Sequence, residues 1–150
     1  MARLGRYSVN RIKIEELTAS KTVTVADCGT LFVVNPAADT TLTLPSAVAC
    51  GKGWWVKVMI DEEDGGTVDN DVNIAISDGT SFTGVLSTSD GSGASVGTGA
   101  TGTAHSHIVF DAGTSTSGEM VRVVCLGDRF VAHGLIVDAT DTKFFTAALS

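Results

Sequence analysis

Charge is scarce in this chain of 150 residues. Asp, Glu, Lys and Arg make up 18% of it, against about a quarter in an ordinary soluble domain, so a surface covered throughout by charge is excluded. Cysteine is scarce and odd in number. Cys28, Cys50 and Cys125 show no CxxC spacing, which argues against a disulfide scaffold and fits folding in a reducing cytoplasm. Proline occurs only at Pro36 and Pro45, both at the ends of segments, where a missing N–H does no harm to a strand ladder. No apolar run approaches the ~20 residues that a membrane-spanning helix needs. Residues 1–14 lack the continuous apolar core of a secretory signal. No helical period is sustained beyond one or two turns. There is no GxSxG, no P-loop and no dinucleotide fingerprint. Ser, His and Asp are present but at no motif, so no triad can be argued. The chain is not expected to be an enzyme, nor to need a cofactor or metal.

Positive charge is the rarer sign and is unevenly placed. Ten Lys and Arg stand against 17 Asp and Glu, for a net charge of −7, which argues against a nucleic-acid partner. Residues 1–13 hold Arg3, Arg6, Arg11 and Lys13 and no acid, so the rest of the chain carries −11. Leu4, Tyr7, Val9, Ile12 and Ile14 make this segment more apolar than a merely solvated tail. A basic, partly apolar segment on an acidic body reads as a docking arm; the alternative is a frayed terminus. Residues 1–20 are taken as the arm and 21–150 as one β domain.

What the chain does have is apolar residues, 43% of the total, in patterns of period two. Val23 and Val25 alternate with Thr22 and Thr24, and Leu42 and Leu44 with Thr41 and Thr43, as on a half-buried pleated surface. Over 54–60, Trp54, Val56, Val58 and Ile60 share one face and Trp55, Lys57 and Met59 the other. The first set is expected to be core. Val72, Ile74 and Ile76 form another alternating segment, closed by Asp78-Gly79, a hairpin-type signal with 82–86 as the expected partner. Residues 14–19 could form a single helical turn, too short to stand alone. Residues 87–104, rich in Gly, Ser, Thr and Ala, read as a long flexible loop. Segments 107–110, 120–126, 129–135 and 143–149 complete a set of eight to ten short strands. The expected fold is all-β, an antiparallel β-sandwich or jelly-roll-like barrel with an extended N-terminal arm.

Three further features invite a chemical reading. His105 and His107, two apart on a strand, would face the same way and could share a metal, yet no third ligand lies near in sequence. Asp61, Glu62, Glu63, Asp64, Asp69 and Asp71 crowd one loop, but Gly65 and Val72 stand where an EF-hand needs ligands, so a solvated turn is expected. Trp55, opposite the core face, must be covered by another layer, a second subunit or a ligand such as a sugar. With charge so scarce, subunit burial is expected, and Trp55, Phe144 and Phe145 are assigned to a subunit interface of a homo-oligomer, expected to be a trimer.

Residues 21–60 carry a Thr-Val-Thr strand, an Asp-x-Gly turn (Asp27, Gly29), an apolar strand, a Thr-Leu-Pro element (Thr43, Leu44, Pro45) and a Gly before an aromatic strand (Gly53, Trp54). Residues 120–126, the Gly127-Asp128 turn and residues 129–134 form a closing hairpin pattern. Together these resemble a β-module that recurs in tailed-bacteriophage virion proteins, in head decorations and tail fibres. The resemblance implies a viral structural protein. The reading taken is a head decoration (cement) protein on the capsid exterior, assembled in the host cytoplasm. Its implied partners are the major capsid protein and itself, with no nucleic acid and no membrane. Arg3, Leu4, Arg6, Tyr7, Arg11, Ile12 and Lys13 would form the capsid-binding arm. The alternative is a tail-fibre or receptor-binding module that recognises a host surface glycan. A cellular carbohydrate-binding module is a third reading, with Trp55 as its aromatic platform.

Overall fold

The computed structural model describes residues 12–62, 66–89, 95–105, 107–113 and 115–137. Over the described residues the protein is all-β apart from one short helix and one 3₁₀ turn. In chain order the strands are β1 (Lys13–Leu17), β2 (Lys21–Thr22), β3 (Thr30–Val34), β4 (Thr40–Leu44), β5 (Trp55–Ile60), β6 (Val72–Ile76), β7 (Phe82–Ser89), β8 (Ser95–His105), β9 (His107–Phe110), β10 (Met120–Cys125) and β11 (Phe130–Val137). The 3₁₀ turn spans Val25–Asp27, and helix α1 spans Ala47–Cys50.

The strands form two sheets. The larger has the order β1-β3-β5-β10-β11-β7-β8, the smaller β2-β4-β6-β9. From β1 to β6 the chain visits the two sheets alternately. Each strand is therefore followed by a return through the other sheet, and sequence-successive strands within one sheet point the same way. β1 with β3, β3 with β5, β2 with β4 and β4 with β6 are all parallel, and so are β11 and β7. The expectation of an antiparallel fold is thus corrected: both sheets are mixed. Antiparallel pairing appears at the β10–β11 hairpin, where the sequence placed one, and also between β5 and β10, β6 and β9, and β7 and β8.

The alternating apolar residues meet in one core. Phe32, Val34, Val56, Val58, Ile60, Val121, Val123 and Phe130 come from the larger sheet, and Leu42, Leu44, Val72, Ile74, Ile108 and Phe110 from the smaller, all within 2% of full burial. Trp54 precedes β5 rather than opening it, yet its ring is buried (3% exposed) with that set. Its indole N–H donates to the Val25 carbonyl at 3.0 Å, and it meets Phe130 edge-on with centroids 6.0 Å apart.

Four local expectations are corrected. Residues 13–17 are a strand, not part of a helical turn, because pairing with β3 satisfies backbone groups that an isolated turn could not. That strand also places Lys13, assigned to the arm, in the body of the sheet. Val25 lies in the 3₁₀ turn and is exposed. The Asp78-Gly79 turn carries the chain between sheets, since β6 pairs with β4 and β9 while β7 pairs with β11 and β8. Residues 87–104 are not a structureless loop: 82–89 and 95–105 form strands paired antiparallel. A ladder is made by backbone groups, so small side chains do not forbid it.

Candidate interaction face

The core takes one face of the larger sheet; the other is turned outward. Strand register fixes who neighbours whom there. Leu31, Lys57, Arg122 and His133 lie side by side across β3, β5, β10 and β11. One row along, Val33, Met59 and Met120 are neighbours, and on the other side Trp55, Val124 and Val131. These apolar residues are half-buried and Arg122 and His133 exposed. The face is therefore apolar, with a cationic row through its middle.

Arg122 lies over Trp55, its guanidinium carbon 5.0 Å from the ring centroid, a cation–π geometry. The inner edge of the same ring faces Gly29, whose N–H donates to the Trp55 carbonyl at 2.7 Å. Among the described residues no carboxylate pairs with Lys57 or Arg122. Exposed Lys52 likewise has no carboxylate partner among the described residues, while the remaining described cations are paired. Lys13 lies 3.0 Å from Asp27 and 3.3 Å from Glu15, Lys21 pairs with Glu15, and Arg129 with its neighbour Asp128.

The carboxylates gather at one end of the molecule and reach this face, where Glu16 is in register with Val33. β1, β3 and β5 end, and β4 and β6 begin, at one pole of the molecule. Short backbone links hold these ends together: Ala37 N–H to Thr18, Asp61 N–H to Val34 and Thr40 N–H to Asp71. The pole carries Asp39, Asp61, Glu62, Asp69 and Asp71, with no Lys or Arg among its described residues. Asp39 accepts from the Asp71 N–H at 3.0 Å, and Asp71 from the Ala112 N–H at 2.8 Å. A groove of about 300 Å³ opens there, lined by Glu16, Leu17, Thr18, Val33, Asn35 and Asp61.

At the opposite pole Asp27 is buried beneath β1. Burial works to raise its pKa, but the Thr24 N–H and hydroxyl, each 2.9 Å away, and the Lys13 ammonium outweigh it, with help from Lys21. They hold the carboxyl at about 2. The three cysteines are free. Burial, reinforced by Cys125 and Cys28, pushes the Cys50 thiol up to about 11, which keeps it protonated at neutral pH and unreactive.

Of the residues assigned from sequence, Arg3, Leu4, Arg6, Tyr7, Arg11, Phe144 and Phe145 lie outside the described residues. Ile12 is exposed. Trp55 is on the outward face, as its alternation with Trp54 required. His105 and His107 belong to strands of different sheets, so the shared strand face expected for them does not exist. No cluster of His, Cys, Asp and Glu among the described residues has the geometry of a metal site. Glu63, Asp64 and Gly65 of the acidic loop lie outside the described residues. Sequence reasoning missed Arg122, Met120 and Val124. Their alternation with Val121 and Val123 marked them as outward, but only the β5–β10 pairing brings them to Trp55. No protein-family model, no curated protein and no solved structure matches the chain.

Proposed function

We propose that this chain is a non-enzymatic structural protein of a tailed-phage virion, a head decoration protein that binds the outside of the assembled capsid and braces it. The two sheets around one core are read as a jelly-roll-like sandwich, with residues 1–11 as its extended arm. The partners are the major capsid protein and further copies of the chain, as a homotrimer assembled in the host cytoplasm.

The observation that carries the reading is where the basic segment joins the body. Residues 1–11 hold three arginines and no acid and run directly into β1, the edge strand of the larger sheet. A segment entering at a sheet edge is placed to reach a neighbouring protein and add a strand to it, with backbone bonds giving affinity and arginines giving register. Lys13, by contrast, is held by Asp27 and Glu15 and belongs to the body.

The test is removal of residues 1–11, leaving Lys13 in place. The truncated protein should fold, as judged by its melting curve, and should occupy undecorated heads at a small fraction of the intact protein's copy number. Equal occupancy would remove the arm from the mechanism. The alternative, a tail-fibre module that binds a host glycan, draws on one observation, the outward Trp55 with Arg122 over it; specific retention on a glycan array would favour it.

A further inference from the structure

We infer that the open edge of β1, together with the acidic groove at its far end, is the docking site of residues 1–11 of the same chain, which fold back on it antiparallel. The contact itself does not depend on the decoration reading above; that a capsid must displace the segment from this edge rests on that reading.

β1 ends the larger sheet among the described residues. Its parallel pairing with β3 uses alternate backbone groups. The Leu17 carbonyl accepts from the Asn35 N–H at 2.9 Å, so Leu17 turns its groups to β3, and Ile14 and Glu16 turn theirs to the open edge, where they need partners. The same strand leaves apolar side chains uncovered. Ile12 is 47% and Ile14 61% exposed, with Ile14 in register with outward Leu31.

The segment that precedes this edge in the chain has the matching pattern. A two-residue turn at Asn10 and Arg11 sets Val9 beside Ile12, Tyr7 beside Ile14, Arg6 beside Glu15 and Leu4 beside Leu17. Apolar meets apolar, and base meets acid. A slip of one residue sets Arg6 beside Ile14, or Tyr7 beside Glu15, and loses the match. Residues flanking a two-residue turn exchange backbone bonds, and so does every second pair beyond them, which uses the open groups of Ile14 and Glu16. Arg3 then falls beside Thr18, at the groove that carries the Glu16 and Asp61 carboxylates.

Reach decides which copy supplies the segment. Ile12 to Thr18 is about 20 Å along an extended strand, and the residues before Ile12 cover about 36 Å when extended. A segment tethered so close meets its own edge at an effective concentration in the millimolar range, above that of a second copy in dilute solution. Charge decides the direction. The arginines are drawn to the Glu16 and Asp61 end and repelled by Lys57 and Arg122 on the outward face.

The chain has one tyrosine, which makes the test direct. In the full-length protein the Tyr7 ring should show nuclear Overhauser contacts to the Ile14 methyls. The Ile14 and Glu16 amides should exchange at least tenfold more slowly than after removal of residues 1–11. Mixing isotope-labelled with unlabelled protein should show the Tyr7 contact within one chain only. Glu16→Gln with Asp61→Asn, whose amides keep the oxygen acceptors, should leave the melting curve unchanged and speed trypsin cleavage after Arg3 severalfold. No Tyr7–Ile14 contact, a contact found between chains, or equal cleavage of wild type and variant overturns the inference. If the contact is absent and the truncated protein still fails to occupy undecorated heads, the inference falls and the decoration reading stands.

Discussion

Asp27 should set the acid limit of the fold. Its carboxyl, 8% exposed, is held at about 2 by Thr24 and Lys13, with Lys21 nearby, against the opposing effect of burial; an ordinary aspartate titrates near ~3.9. The folded protein therefore binds this proton less readily than the unfolded chain does. The resulting stabilisation is fully present above about pH 4 and is lost as pH falls through the folded value near 2. At ~1.4 kcal/mol per unit, it amounts to about 2.5 kcal/mol. Asp27→Asn removes the charge while keeping one oxygen acceptor. It should lower stability by that amount at pH 7, and the gap from wild type should close as pH approaches 2. Urea unfolding midpoints across pH 7 to 2 would measure this, with the Asp27 carboxyl followed by NMR. A gap that stays constant down to pH 2, or a carboxyl that titrates at the ordinary value, would refute the reasoning.

Other outcomes follow from packing. Trp54→Ala should cost ~3–5 kcal/mol in chemical denaturation, because the buried ring and its bond to Val25 are both lost. Trp55→Ala should cost less in folding and instead weaken self-association, read as a higher dissociation concentration in sedimentation. Gly134→Ala should cost ~1–3 kcal/mol. A Cβ there would lie 2.5 Å from the Met120 carbonyl oxygen and 2.9 Å from Val121 Cγ2, so the β10–β11 hairpin must shift to admit it; a variant with an unchanged melting temperature would contradict that close approach.

The sequence alone determined the class of the fold and which residues face inward. Alternation over 54–60 separated Trp54 from Trp55 because a pleat reverses direction at each residue, whatever the strand pairs with. The Gly127-Asp128 hairpin was legible because its partners are joined by a short turn. Sheet membership was not legible. Val72, Ile74 and Ile76 alternate alike beside any partner, so the Asp78-Gly79 signal suggested a hairpin where the chain crosses to the other sheet. The direction of pairing was equally hidden, because parallel neighbours such as β3 and β5 are separated by a passage through the opposite sheet. Residues 87–104 lacked side chains to announce a strand, yet the backbone ladder there needs none. The candidate face was half legible. Trp55, Lys57 and Met59 were placed outward by period, but Arg122 reaches Trp55 only through the β5–β10 register. The gathering of acids at one pole is likewise tertiary: Asp39, Asp61 and Asp71 come from different connections and converge because β3 and β5 end, and β4 and β6 begin, at the same end of the molecule.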